Sequence, residues 1–203
     1  MKHLFIVNPI AGGKNNHYGK TVEEIENVMC GSGEDYEVYI TKAPLDACEK
    51  ILSEAGSGEE IRVYACGGDG TFNECINAAV GHGNVSVACY PCGTGNDFIK
   101  TFGDESKLFK DIRALSEGEV RPMDVIECNG RYCANICSVG IDARIGTDVH
   151  KYSNIPLIGG ATGYVVSLFV NIIKGINSHL KITTEEGQVE GDFALICGCN
   201  GRY

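Results

Sequence analysis

The chain has 203 residues, 43% hydrophobic and 22% charged, a size and balance that suit one large globular domain or two small ones. A formal net charge of −10 argues against nucleic-acid binding and against adsorption of the whole molecule to anionic lipid, since both need clustered Lys and Arg. Eleven cysteines without framework spacing, together with no recognisable signal peptide, point to a reducing cytoplasmic setting.

Leu4 to Val7 is a short apolar run ending at Asn8-Pro9, the pattern of a buried parallel strand. After Ala11-Gly12-Gly13-Lys14, the apolar positions Val22, Ile25, Val28 and Met29 recur at helical spacing. A strand is expected over Tyr36 to Thr41, a helix from Pro44 to Ala55 and a third strand over Ile61 to Ala65. Phe72 to Val80 reads as a helix, Val85 to Tyr90 as a strand, Asp97 to Phe102 as a short helix and Ser106 to Ser116 as another. Strands alternating with helices predict a parallel sheet covered on both faces, with ligands at the carboxyl ends of its strands.

The pattern changes after about Val120. Asp124 to Cys128 and Tyr132 to Val139 read as strands joined by a hairpin turn at Asn129-Gly130. Leu180 to Thr184 and Val189 to Gly198 form a second pair. The expected organisation is an α/β domain over residues 1–120, followed by an antiparallel β-rich domain over 121–203 that is incomplete. The uncharged run Ile155 to Ile173 reads as a buried helix from about Gly160, with a lipid-facing wall as the alternative. Cys66, Cys89, Cys128, Cys137 and Cys197 sit in apolar runs and read as small buried hydrophobes rather than metal ligands.

Three loops carry chemistry. Gly67-Gly68-Asp69-Gly70-Thr71-Phe72-Asn73-Glu74 lies between a strand and a helix. Its glycines let backbone approach phosphate oxygens, and the helix start offers free N–H groups. Asp69 adds a carboxylate able to hold a metal or accept a proton. Pro91-Cys92-Gly93-Thr94-Gly95-Asn96-Asp97-Phe98 follows the next strand, where Asn96 or Asp97 could also serve as a helix cap. The first loop, Asn8 to Lys14, lacks Walker A spacing, and Lys14 taken alone reads as a solvated lysine.

In order and spacing these loops resemble the catalytic domain of the diacylglycerol kinase/sphingosine kinase family, whose members share NPxxG, GGDGTxNE and GTxND motifs. The likeness continues through Asp124 and Ser138-Val139-Gly140-Ile141-Asp142-Ala143. It implies a two-domain enzyme that moves the γ-phosphoryl of ATP, with Mg²⁺, to a lipid with a free hydroxyl. Carried over by position, the nucleotide would meet Asn8, Lys14, Thr41, Gly67, Gly68, Asp69, Gly70, Thr71, Phe72, Asn73, Gly93, Thr94, Gly95, Asn96 and Asp97. Asp69 would organise metal or the reacting hydroxyl.

Lys100 stands where the family has a basic residue after GTxND. The Asp-Gly-Glu stretch that supplies a general base in the family has no counterpart here, so that carboxylate is expected beyond Tyr203 and this chain alone is expected to bind ATP weakly or not at all and turn over little. The competing readings are a kinase of a soluble substrate such as NAD, which shares only GGDGT, and a non-catalytic nucleotide-binding fragment. Homo-oligomerisation through unpaired strand edges and peripheral contact with a membrane are further expectations.

Overall fold

A computed structural model describes residues 1–12, 18–153 and 161–201. The chain divides into two compact units, Met1–Asn135 with Asn200–Tyr203, and Ile136–Cys199.

The first unit runs β1 (Lys2–Val7), α1 (Tyr18–Met29), β2 (Asp35–Ile40), α2 (Asp46–Ala55), β3 (Ile61–Gly67), α3 (Asp69–Ala79) and β4 (Val85–Pro91). It continues through the single-turn α4 (Asp97–Lys100), a 3-10 stretch (Gly103–Lys110) and α5 (Ile112–Glu117). The four strands are all parallel, in the order β2-β1-β3-β4.

The apolar runs of β1 and β3 follow from burial on both faces. Successive side chains point to opposite sides of a strand. Leu4, Ile6, Val63 and Ala65 therefore pack with Ala47, Ile51, Phe72 and Cys75 of α2 and α3. Phe5, Val7, Tyr64 and Cys66 pack with Ile25 and Met29 of α1 and Ile112 of α5. Leu4, Phe5 and Ile6 are fully buried, and each such side chain contributes roughly 1.5–3 kcal/mol. One polar pair sits inside this core, with His3 Nδ1 and the Tyr64 hydroxyl 2.6 Å apart.

Two elements depart from expectation. The single helix anticipated over Ser106–Ser116 is split, because Asp111 takes an extended conformation and its carboxylate accepts the Ala114 N–H at 3.1 Å, capping α5. The strand anticipated over Tyr132–Val139 breaks at Ala134-Asn135. Its first part is β6 (Arg131–Cys133), paired with β5 (Ile126–Cys128). The hairpin turn is as read, with Asn129 and Gly130 at φ 51° and 75°, the two positive values a two-residue turn of this kind requires. The Asn77 side chain of α3 donates to Tyr132 O and accepts from Tyr132 N, both at 2.8 Å, as a neighbouring strand would. The hairpin thus groups with the first unit, and the second begins at Ile136, whereas the compositional change falls near Val120.

The second unit comprises β7 (Ile136–Gly140), α6 (Ile141–Ser153), α7 (Ala161–Ile173), β8 (Ser178–Thr184), β9 (Gly187–Phe193) and β10 (Leu195–Cys199). β8 pairs antiparallel with β9, and β10 with β7. The strand read over Val189–Gly198 is therefore two strands. They part at Ala194, whose carbonyl accepts the Ile141 N–H at 2.9 Å. α6 was not anticipated from apolar spacing. α7 matches the expected helix, although Gly160 lies outside the described residues, and its Ser167 and Asn171 are buried against α6. No helix among the described residues is long and apolar enough to cross a membrane.

Of the five cysteines read as buried, Cys66 and Cys89 are, and Cys137 is half-buried. Cys128 and Cys197 are exposed; Cys197 lies opposite Ser138, and so on the other face of its two-stranded sheet from Cys137.

Candidate functional site

In the first unit the chain leaves β1 towards β2 on one side, and β3 leads to β4 on the other. The strand order reverses between β1 and β3, the place where open α/β sheets form a crevice beyond their carboxyl ends. Three loops gather there around a cleft of about 330 Å³. The loop after β1 contributes Asn8, Ile10, Ala11 and Gly12 to its lining. Gly68, Asp69, Gly70 and Thr71 come from the start of α3, and Gly93, Thr94 and Gly95 from the loop after β4.

Side chains bind the loops to one another. Asn8 Nδ2 donates to Thr71 Oγ1 at 2.9 Å, while Asn8 Oδ1 accepts the Ile10 N–H at 3.1 Å and shapes its own turn. The Gly67 carbonyl accepts from Cys92 N at 2.8 Å and Gly93 N at 3.1 Å. The Asp69 carboxylate receives two backbone N–H groups, Asn96 at 2.8 Å and Asp97 at 2.7 Å. Asn96 is left-handed, with φ 51°, and its side chain accepts from Gly93 N and donates to Gly93 O.

The glycines divide by what a side chain would meet. A Cβ on Gly67 would overlap the Thr71 side chain. On Gly93 it would strike the Gly68 backbone, on Gly95 the Asp69 carboxylate, and on Gly12, at φ +78°, the Cys92 carbonyl. Gly12, Gly93 and Gly95 allow loop to pack on loop, and Gly67 makes room for Thr71 of its own turn. At Gly70 nothing lies within 4 Å, and that position opens on the cleft. Gly70 is the second residue of α3, so its N–H is among those a helix leaves without an internal acceptor.

The cleft lining thus unites Asn8, Gly68, Asp69, Gly70, Thr71, Gly93, Thr94 and Gly95 from the residues singled out in the sequence. Gly67 lies beneath it, and Asn96 and Asp97 border it through Asp69. Phe72 points elsewhere: it is buried and packs on Phe98, with ring centroids 4.4 Å apart. Asn73 accepts the Asn77 amide through its carbonyl. Thr41 sits one strand away, its N–H bonded to Val7 O at 2.9 Å. Lys14 falls outside the described residues. Ile10, Ala11 and Gly12 line the cleft as well, although the sequence singles out only Asn8 and Lys14 of their loop. The signal for Gly12 was its place in the NPxxG pattern. Among the described residues no group of three or more His, Cys, Asp or Glu is arranged to hold a metal.

A doubly wound parallel sheet with glycine loops at its switch point defines an open α/β ligand-binding domain. The sequence pattern described as "Diacylglycerol kinase catalytic domain" matches residues 2–128, and the chain belongs to that family. It is 28% identical over 160 residues to "Probable lipid kinase YegS-like" of Shewanella frigidimarina, covering 75% of this chain and 50% of that protein. It is 27% identical over 172 residues to the protein of the same name in Pseudomonas aeruginosa, covering 84% and 56%. A solved structure titled a diacylglycerol kinase, from Bacillus anthracis, superposes with a TM-score of 0.69 at 26% identity. That match covers 100% of this chain and 65% of the other. The chain therefore spans about half the length of the curated relatives it matches.

Proposed function

We propose that the whole protein transfers the γ-phosphoryl group of ATP to a hydroxyl of a lipid. The observation that carries this reading is the meeting of three glycine loops in one cleft of about 330 Å³, with glycine at five of its lining positions. Such a wall suits a polyphosphate, whose oxygens take N–H donors at close range. Gly70 and Thr71, at the start of α3, would supply N–H groups, and Gly93 to Gly95 would face the phosphates from the other side. Thr41 and Asn73 are further candidates for the nucleotide's contacts, outside the lining itself.

Phosphoryl transfer of this kind depends on positioning and charge neutralisation rather than on covalent work by the protein. Asp69 is the carboxylate of the described lining. Each of its oxygens accepts one N–H and keeps a further lone pair, so it fits as one ligand or outer-sphere partner of Mg²⁺ held chiefly by phosphate. The ion would neutralise phosphate charge. Asp69 itself holds the third loop in register with the second. A lipid acceptor accords with the names of the relatives. Contact with a membrane surface would be peripheral.

The test is transfer of labelled γ-phosphate from ATP to a panel of dispersed lipids, with NAD as the soluble comparison and Asp69→Asn in parallel. A labelled lipid, lost in the variant, is the expected result. Label appearing in NAD, or in no acceptor while ATP still binds, would overturn the proposal.

A further inference from the structure

We infer that Asn200 is a positioning residue for the cleft, acting through the segment Asn200-Gly201, Thr101 and α4 on the loop Gly93–Asn96. This rests on the cleft being the nucleotide site proposed above.

Asn200 belongs to the first unit although it follows the whole of the second in the chain. It is tied down from both backbone and side chain. Its N–H donates to Asn135 O at 2.8 Å, and the next N–H, of Gly201, donates to the same carbonyl at 3.1 Å. Its side-chain Nδ2 donates to Asp124 O at 2.6 Å and to Ala134 O at 3.0 Å. One amide thus fastens Asn200 to the stretch before β5 and to the end of β6. The Asn77 clamp holds that same hairpin against α3.

Gly201 is where this segment meets the cleft machinery. A Cβ there would overlap the Asn135 side chain and would lie 3.2 Å from Thr101 Oγ1. Thr101 closes α4, its N–H returning to Phe98 O at 3.2 Å. α4 has only four residues, so its two ends move together. Its first end is Asp97, whose N–H is held by Asp69 beside that of Asn96, next to the lining residues Thr94 and Gly95. A single turn has little stability of its own, since helix nucleation is unfavourable. What fixes α4 is therefore its surroundings: Ile99 buried in the core, Phe98 on Phe72, Asp69 at its first end and Gly201 beside Thr101 at its last. Removing the Asn200 side chain leaves Gly201 held by the two backbone bonds to Asn135 O and so loosens the support at Thr101.

Amide hydrogen exchange of the 203-residue chain tests this without any nucleotide. Asn200→Ala is expected to speed exchange at Asn96, Asp97 and Thr101 by roughly tenfold or more, as a local opening would. Phe5 and Ile6 in β1 should keep their protection. Gly201→Ala, which crowds the same contact while leaving the Asn200 amide in place, should do the same and serves if Asn200→Ala does not fold. In the active protein, Asn200→Ala should raise KM for ATP by about tenfold with kcat nearly unchanged, the signature of lost ground-state binding. Unchanged exchange at Asn96, Asp97 and Thr101 in the folded variants overturns the inference. Absence of any ATP dependence in the unaltered protein would overturn the nucleotide reading instead, and the exchange result would still judge the relay.

Discussion

The carboxylate of Asp69 accepts the backbone N–H of Asp97 at 2.7 Å, twenty-eight positions along the chain, and so joins the loop that opens α3 to the loop that opens α4. With the parallel bond from Asn96 it makes Asp69 a brace as well as a candidate ligand. Asp69→Ala should therefore cost stability even without ligand, by about 1.5–3 kcal/mol, the range for hydrogen bonds to a charged group. Asp69→Asn keeps one acceptor oxygen and should cost less. Urea denaturation of the two variants checks this, and equal stability in all three proteins would refute the bracing role.

Gly67 and Gly70 should separate fold from function. Gly67→Ala forces a clash with the side chain of Thr71, which is buried, and overpacking of this kind costs about 1–3 kcal/mol. Gly70→Ala meets no neighbour and replaces glycine within a helix, so its stability should be unchanged or up to about 1 kcal/mol higher. Its methyl group would nevertheless occupy the cleft, and ATP affinity should fall by at least about tenfold, as expected for a blocked phosphate approach. Calorimetric melting together with ATP titration distinguishes the two outcomes.

The stability of the first unit should decline on mild acidification because of His3. Burial lowers its pKa below the ordinary 6.5, with the Arg62 guanidinium adding to the effect and Glu34 partly opposing it. The neutral ring is thus the folded form. Its contribution is fully present above the unfolded-state pKa and is lost as pH falls through the folded-state value. Denaturation midpoints should drop between about pH 7 and pH 5, the span in which an unfolded histidine takes up its proton. His3→Phe should flatten the profile in that window. Glu37 and Glu54 are held below the usual carboxylate range by Lys2 and Lys50, and their loss belongs to more acid solution.

Asn77→Ala should release the β5–β6 hairpin from α3. The substitution leaves the N–H and C=O of Tyr132 without their partners, a cost of about 1–3 kcal/mol per buried unsatisfied group. Asn77→Asp can still accept from Tyr132 N but cannot donate to Tyr132 O, so it should fall between wild type and alanine. Exchange of the Tyr132 amide, read by mass spectrometry, reports the release directly.

Much of this molecule was legible from one strand of text. The apolar runs Leu4–Val7 and Ile61–Ala65 could only be strands buried on both faces, and the glycine loops at their ends could only gather at one edge of a parallel sheet. Asn129-Gly130 specified its turn because few residues tolerate two successive positive φ values. The eight-residue GGDGTFNE string and the GTGND loop carried the family, since local sequence writes local backbone geometry.

Only the tertiary structure decided what the individual residues do. Phe72 reads as part of a binding motif, yet it is a core residue, because its helical phase turns it towards Phe98. Gly67 and Gly70 look alike in sequence. One makes room for the Thr71 side chain of its own turn and the other opens on the cleft, a distinction set by the three-dimensional course of that turn rather than by residue type. The break at Ala134-Asn135 and the return of Asn200 to the first unit were equally hidden. They are set by hydrogen bonds between residues far apart in the chain, to which propensity and spacing are blind.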